Sequence, residues 1–230
     1  MSILLLVRHG QASLHGDDYD VLSPLGEAQC RELGRFWLDL GLRFDRVVIG
    51  PRRRHRQSHD EVATLFREAG LPWPEAEFLP ELDEHHGPQV LDAQRDSLDP
   101  NPVDSADDGN FMTRYLRLFR LGMSRWASGD LETPEPFEDW RGFRDRVARG
   151  VDLLCDPGER TGHTVAFTSG GFVAAALGHV LDLDDRRVLE LSFGMRNASV
   201  SEVRFSPERG RGVVGVNQTP FRDPSYLTFV

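Results

Sequence analysis

Two cysteines in 230 residues, Cys30 and Cys155, are too few for a disulfide framework. Each falls in a stretch that reads as an amphipathic helix, where a thiol packs as a small apolar side chain. A reducing compartment, by default the cytoplasm, is the expectation. No basic segment precedes the opening apolar run, which ends at Val7 and is too short for a signal peptide. The longest other apolar stretch, Phe172 to Leu181, carries His179 and falls short of a bilayer span, so no membrane partner is expected. Positive charge is not in excess: 27 arginines, with no lysine, stand against 37 acidic residues, a net charge of −10. Such a field repels nucleic acid and anionic surfaces. Nucleic acid is therefore not an expected partner, and an anionic ligand needs a local basic pocket. There is no internal repeat and no long low-complexity segment.

What is present fits one domain with a real core, since 39% of the residues are hydrophobic. Ile3-Leu4-Leu5-Leu6-Val7 is an unbroken apolar run, the pattern of a strand buried on both faces of a parallel sheet. Ser23 and Pro24 open a helix as N-cap and first residue. Its apolar face reads as Leu25, Ala28, Leu33, Phe36, Trp37 and Leu40, and Gly41 ends it. Val47 to Ile49 is a second strand, followed by a helix from Arg53 to Glu68 closed by Gly70. This β-α-β-α order predicts a three-layer α/β/α sandwich around a mostly parallel sheet. Pro72, Pro74 and Pro80 then interrupt regular structure, and Asp96 to Asn110 reads as a loop. Helices are expected over Phe111–Ala127 and over Phe137–Leu154, the latter with Trp140, Phe143, Val147, Val151 and Leu154 as a core stripe. The α/β pattern returns with a strand at Thr164–Thr168, a Ser169-Gly170-Gly171 turn and a helix over Phe172–Leu181. Strands at Ala198–Phe205 and Gly212–Val216 complete it.

In open α/β sheets the ligand crevice lies beyond the C-terminal strand ends. Three polar clusters occupy such ends: Arg8-His9-Gly10, Gly50-Pro51-Arg52-Arg53-Arg54, and Thr168-Ser169-Gly170-Gly171. Arginine offers a planar fork of donors matched to two phosphate oxygens. Paired glycines at a helix N-terminus bring backbone N–H groups close to an anion. A histidine among such positive charges stays largely neutral, and neutral imidazole is a competent nucleophile. Each cluster alone has a plain structural reading as a solvated turn; their convergence on one sheet edge predicts a phosphate site.

The sequence resembles the histidine phosphatase superfamily, the phosphoglycerate mutase-like family. Leu5-Leu6-Val7-Arg8-His9-Gly10-Gln11 is similar to its opening signature, and Leu22 to Gln29 to the entry into its first helix. Gly50 to Ser58 resembles the segment with an arginine three residues before a glutamine, which assigns a second phosphate arginine to Arg54. Leu82-Asp83-Glu84-His85-His86 resembles the acid-bearing segment, with Glu84 as proton donor and Glu81 and Asp83 as competitors. Asn197 and Asn217 fall where the family carries asparagines. The resemblance implies a single domain over 1–230 with a helical cap insertion at about 89–160. It also implies a phosphatase that acts on a small phosphorylated substrate with no cofactor and no metal, through a phosphohistidine on His9. Arg8 and Arg54 would bind phosphoryl oxygens, with Ser169 and Gly170 completing the phosphate site.

One position departs from the family pattern. A second histidine usually precedes the Gly-Gly pair, and here that position is Ser169. A serine hydroxyl donates one hydrogen bond but brings no charge. By analogy with oxyanion donors, that difference is worth about 10²- to 10³-fold in rate. His163, at the start of its strand, is a poor replacement, whereas His85 and His86 lie beside Glu84. Three alternatives follow: a phosphate-binding member with little or no catalysis, a phosphoglycerate-type mutase, and a metal-dependent hydrolase using His55, His59 and the His85-His86 pair. Exposed cap helices would support a homodimer.

Overall fold

The computed structural model describes residues 1–13, 20–95, 111–131, 137–156 and 162–229. The loop expected at Asp96–Asn110 and the end of the insertion near Arg160 lie outside them. The described residues form two compact units, Met1–Glu84 with Val147–Val230, and His85–Arg146.

The first unit is built on a six-stranded sheet of order β3-β2-β4-β1-β5-β6. β1 (Ser2–Arg8) lies in the interior, parallel to β4 (His163–Thr168) and antiparallel to β5 (Val200–Ser206). β2 (Arg46–Ile49) pairs in parallel with β4 and with β3 (Ala76–Phe78), and β6 (Gly210–Gln218) runs antiparallel to β5. The continuous apolar runs of β1 and β4 are explained by this central placement, where both faces of a strand are covered. Leu5, Val7, Val47, Ile49, Val165 and Phe167 point to one face. There they meet Cys30, Leu33 and Trp37 of α1 (Pro24–Asp39) and Val62 and Phe66 of α2 (Arg53–Glu68). Leu4, Leu6, Val48 and Ala166 alternate to the other face and are fully buried. α6 (Gly170–Leu181) contacts β1, β6 and α7 (Asp185–Phe193). Gly150, on the later half of α5 (Trp140–Leu154), lies against the Phe172 ring of α6. The α/β fold with a mostly parallel sheet flanked by helices agrees with the reading of the sequence.

The second unit holds α3 (Gly87–Arg95), α4 (Phe111–Ser128) and the first turns of α5. Trp126, Trp140 and Phe143 pack edge to face and tilted with ring centroids 5.1–5.8 Å apart. Arg146 makes two 2.7 Å hydrogen bonds to Glu138.

Several boundaries differ from expectation for identifiable reasons. α5 begins at Trp140, not Phe137, because the Asp139 side chain accepts from the Gly142 N–H at 2.6 Å and caps the helix there. α6 begins at Gly170, since the Val173 N–H already bonds the Ser169 carbonyl and the glycines form the first turn. On α1 the buried row is Gly26, Gln29, Cys30, Leu33, Gly34 and Trp37, whereas Phe36 and Leu40 are exposed. The row 26-30-33-37 is the buried one; Phe36 lies about 90° around the helix from it, and Leu40 is the C-cap, past the last helical residue. β3, α3 and α7 carried no clear periodic signal. No helix among the described residues is long and apolar enough to cross a membrane.

Ser23 has the N-cap role expected of it. Its Oγ accepts from the Gly26 N–H at 3.0 Å and donates to Gln11 Oε1 at 2.9 Å. Ser23→Ala should lower stability by about 1 kcal/mol, read as a shift of the urea midpoint with unchanged slope.

Candidate active site

The ends of β2, β4 and β1 are adjacent in the sheet, so the three polar clusters meet. His9 follows β1 and is 4% exposed. Its backbone is clamped from both sides: its N–H donates to the Thr168 carbonyl at 2.9 Å, and its carbonyl accepts from the Ala198 N–H at 3.0 Å. Asn197 Nδ2 reaches the same carbonyl at 3.4 Å.

The side chain is held as firmly. His9 Nδ1 lies 2.6 Å from the Gly10 carbonyl oxygen. A carbonyl only accepts, so Nδ1 carries the proton and Nε2 keeps its lone pair. Burial holds the His9 pKa well below the ordinary 6.5, and Arg54, Arg8 and His55 add to the effect by charge repulsion. The ring is thus neutral near pH 7, in the tautomer that leaves Nε2 nucleophilic.

Gly10 joins this loop to two helices. Its N–H donates to Ser58 Oγ at 3.1 Å, and Ser58 donates to the Arg54 carbonyl at 2.7 Å. Beneath it, Cys30 is buried and its thiol is pushed up to about 12, which makes it inert as a thiolate.

Arg8 donates through Nη1 to the Met195 carbonyl, and its Cδ and Nε pass close to Gly170, where a Cβ would lie 3.2 Å from each. Arg54 projects from the first turn of α2, is 7% exposed, and pairs with Asp20 at 3.3 Å. The other Asp20 oxygen accepts from the Arg53 N–H at 2.9 Å. The acid segment sorts its own candidates. Asp83 pairs with Arg52 at 2.5 Å, and Glu81 lies against Gly150. Glu84 Oε2 instead accepts from the Gly171 N–H at 3.1 Å, in the first turn of α6. Arg8, His9, Arg54, Glu84, Ser169 and Gly170 are therefore brought to one strand-end cluster.

Other candidates fall elsewhere. His163 opens β4 opposite Ile3, at the far end of the sheet. His85 packs its ring against Phe119, Trp126 and Phe143 within the second unit. His59 accepts from Trp73 Nε1 at 3.0 Å and faces Asp60 through Nδ1 at 2.8 Å. Asn217 supports the backbone of Gly194 and Arg196 rather than the strand ends. Among the described residues no group of three His, Cys, Asp or Glu side chains is arranged to hold a metal ion.

The side chain that meets Ser169 is His55, considered from the sequence only as a metal ligand. Its Nε2 lies 2.6 Å from Ser169 Oγ, and its ring centroid is 5.9 Å from that of His9. The only sequence signal for it is its place directly after Arg54.

The chain is similar in fold to several solved phosphatases. A phosphoserine phosphatase of Entamoeba histolytica, determined with phosphoserine bound, superposes with a TM-score of 0.63 at 15% identity, covering 96% of this chain and 98% of that one. A mycobacterial glucosyl-3-phosphoglycerate phosphatase gives 0.62 at 20%, covering 95% and 100%. The α-ribazole phosphatase of Shigella flexneri gives 0.61 at 16%, covering 94% and 96%. A search of curated protein sequences finds no significant relative. The family model for the histidine phosphatase superfamily (branch 1) matches residues 115–219. By that match and by a shared fold that runs nearly end to end, the chain is similar to branch 1 of the histidine phosphatase superfamily.

Proposed function

We propose that this protein is a metal-independent phosphatase that hydrolyses a small phosphomonoester through a phosphohistidine on His9. The observation that carries the reading is the His9 ring itself, neutral, with Nδ1 tied to the Gly10 carbonyl and Nε2 left as a lone pair in the field of Arg54 and Arg8. Nε2 attacks phosphorus as the bond to the leaving oxygen breaks. Arg8 and Arg54 offset the charge on the phosphoryl oxygens, which is the main demand of phosphoryl transfer. Glu84, in its acid form, gives its proton to the leaving oxygen. As carboxylate it then takes a proton from the water that attacks the phosphohistidine, releasing phosphate and the free imidazole.

Incubation with a panel of phosphomonoesters, with and without EDTA, tests the reading. Turnover unaffected by the chelator is expected. Turnover abolished by EDTA would instead favour a metal-dependent hydrolase. Phosphate binding with no turnover on any ester would favour a non-catalytic phosphate-binding protein, a second reading for which Ser169 is the supporting observation.

The role given to Glu84 makes a separate prediction. Glu84→Gln should lower kcat/KM by about 10²- to 10⁴-fold for alkyl phosphates, whose leaving oxygen needs a proton. For p-nitrophenyl phosphate, whose leaving group departs as an anion, the loss should be much smaller. Equal losses on both substrates would remove Glu84 from the acid role.

A further inference from the structure

The mechanism above leaves the His55–Ser169 contact unused. Both side chains are fully buried, and 2.6 Å separates Nε2 from Oγ. The other edge of the His55 ring rests on Gly50, so closely that a Cβ there would fall 2.5 Å from Nδ1. Nδ1 is thus packed on the Gly50 backbone. When the neutral ring carries its proton on Nδ1, Nε2 accepts the Ser169 hydroxyl proton across the 2.6 Å contact. Ser169 then turns its lone pairs, not its proton, toward any anion beside Arg8 and His9.

We propose that His55 and Ser169 act as one unit, in which His55 takes up a proton as the phosphoryl group binds and so lets Ser169 present its O–H to a phosphoryl oxygen. The inference rests on the phosphate site proposed above. Ser169 would touch the substrate; His55 acts through it and is a positioning residue. The proton balance is simple. A proton on the monoanionic phosphoryl group passes to Ser169 Oγ while the Ser169 proton passes to His55 Nε2. No bond to phosphorus changes. The phosphoryl group becomes a dianion, and the new imidazolium donates its Nε2–H back to Oγ. When a dianion enters from solvent, the proton comes from solvent instead.

The surroundings suit such a switch. Arg52 and Arg54 at the start of α2 and His9 at the end of β1 bear on His55, while Asp83 engages Arg52 and Glu84 is held at Gly171. Burial and the two arginines keep the ring neutral before an anion arrives. A dianion among these groups reverses the local field and favours the charged ring. The charge missing from a serine is thereby restored one residue further from phosphorus.

The test uses sulfate, which stays a dianion at neutral pH, so any proton taken up on binding goes to the protein. Calorimetric titration of wild type at pH 7.5 in two buffers of different ionisation enthalpy should show close to one proton taken up per sulfate. His55→Gln and Ser169→Ala should each abolish the uptake and weaken binding by about 10- to 100-fold. The double variant should bind no worse than either single one. His9→Gln should keep the uptake. Proton uptake that persists in His55→Gln, or no uptake in wild type, overturns the proposal, as does failure of wild type to bind sulfate. Turnover gives an independent arm: His55→Ala/Ser169→His should recover most of the activity lost in His55→Ala, which a merely structural His55 would not allow. Sulfate binding with uptake but no turnover on any ester would sink the phosphatase reading alone. Normal turnover with no uptake would sink this one alone.

Discussion

His9→Ala leaves about one part in 10⁴ or less of the phosphatase turnover, in a protein that remains folded and still binds phosphate. The size of the loss follows from the role, since removing a nucleophile outright costs about 10⁴- to 10⁶-fold where the rest of the site is intact. The fold should survive because the His9 backbone is held by Thr168 and Ala198, and neither bond involves the ring. Phosphate should still bind because Arg8 and Arg54 are anchored by Met195 and Asp20. The sign of the pH dependence is also fixed. His9 reacts as the neutral imidazole, and its pKa is held well below 6.5 by burial and by Arg54 and Arg8. Lowering the pH from 7 through 6.5 should therefore not protonate it, and loss of nucleophile should set in only at lower pH. Rapid-quench labelling from a radiolabelled ester should give an acid-labile, alkali-stable phosphoenzyme in wild type and none in His9→Ala. More than a tenth of wild-type turnover in the variant would place the nucleophile elsewhere.

Much of this site was legible in the sequence because short polar clusters follow long apolar strands. β1, β2 and β4 announce themselves as unbroken apolar runs, and Arg8, Arg54 and Ser169 come just after them. β3 carried no such signal: it has three residues at the sheet edge, with Glu77 and Phe78 exposed, so neither alternation nor burial marks it. The apolar face of α1 differs from the sequence reading because Phe36 and Leu40 count as apolar in any periodicity, while Gly26 and Gln29, which are buried against the Gln11 backbone, do not. His55 was missed for a different reason. Its spacing to His59 is that of a metal pair on one helix, and nothing in a linear reading connects it with a residue 114 positions away. Only the parallel pairing of β2 with β4 puts the start of α2 beside the end of β4. Composition shows which residue types are present, but a contact between two crossover connections is set by the sheet order.

The second large effect expected is structural. Gly10→Ala should cost on the order of 3–5 kcal/mol of stability, among the larger effects of a single substitution. A Cβ at Gly10 would lie 2.3 Å from the Gly26 carbonyl oxygen and 3.0 Å from Cys30 Sγ. The contact is mutual, since a Cβ at Gly26 would lie 2.1 Å from the Gln11 carbonyl oxygen. Two glycines thus let the loop after β1 touch the first turn of α1 backbone to backbone, and neither partner is a flexible side chain that could swing away. Relief requires the loop or the helix to move. Either motion disturbs the Gly10 carbonyl that fixes the His9 tautomer and the Gly10 N–H that donates to Ser58. Turnover should accordingly fall even at temperatures where Gly10→Ala remains folded. Gly212→Ala on β6 is the matched control, because a Cβ there meets nothing within 4 Å. Urea unfolding should show Gly212→Ala within about 1 kcal/mol of wild type and Gly10→Ala several kcal/mol below it. A Gly10→Ala protein as stable and as active as the control would mean that the loop can retreat from α1 without cost, and that the backbone contact does not hold His9 in place.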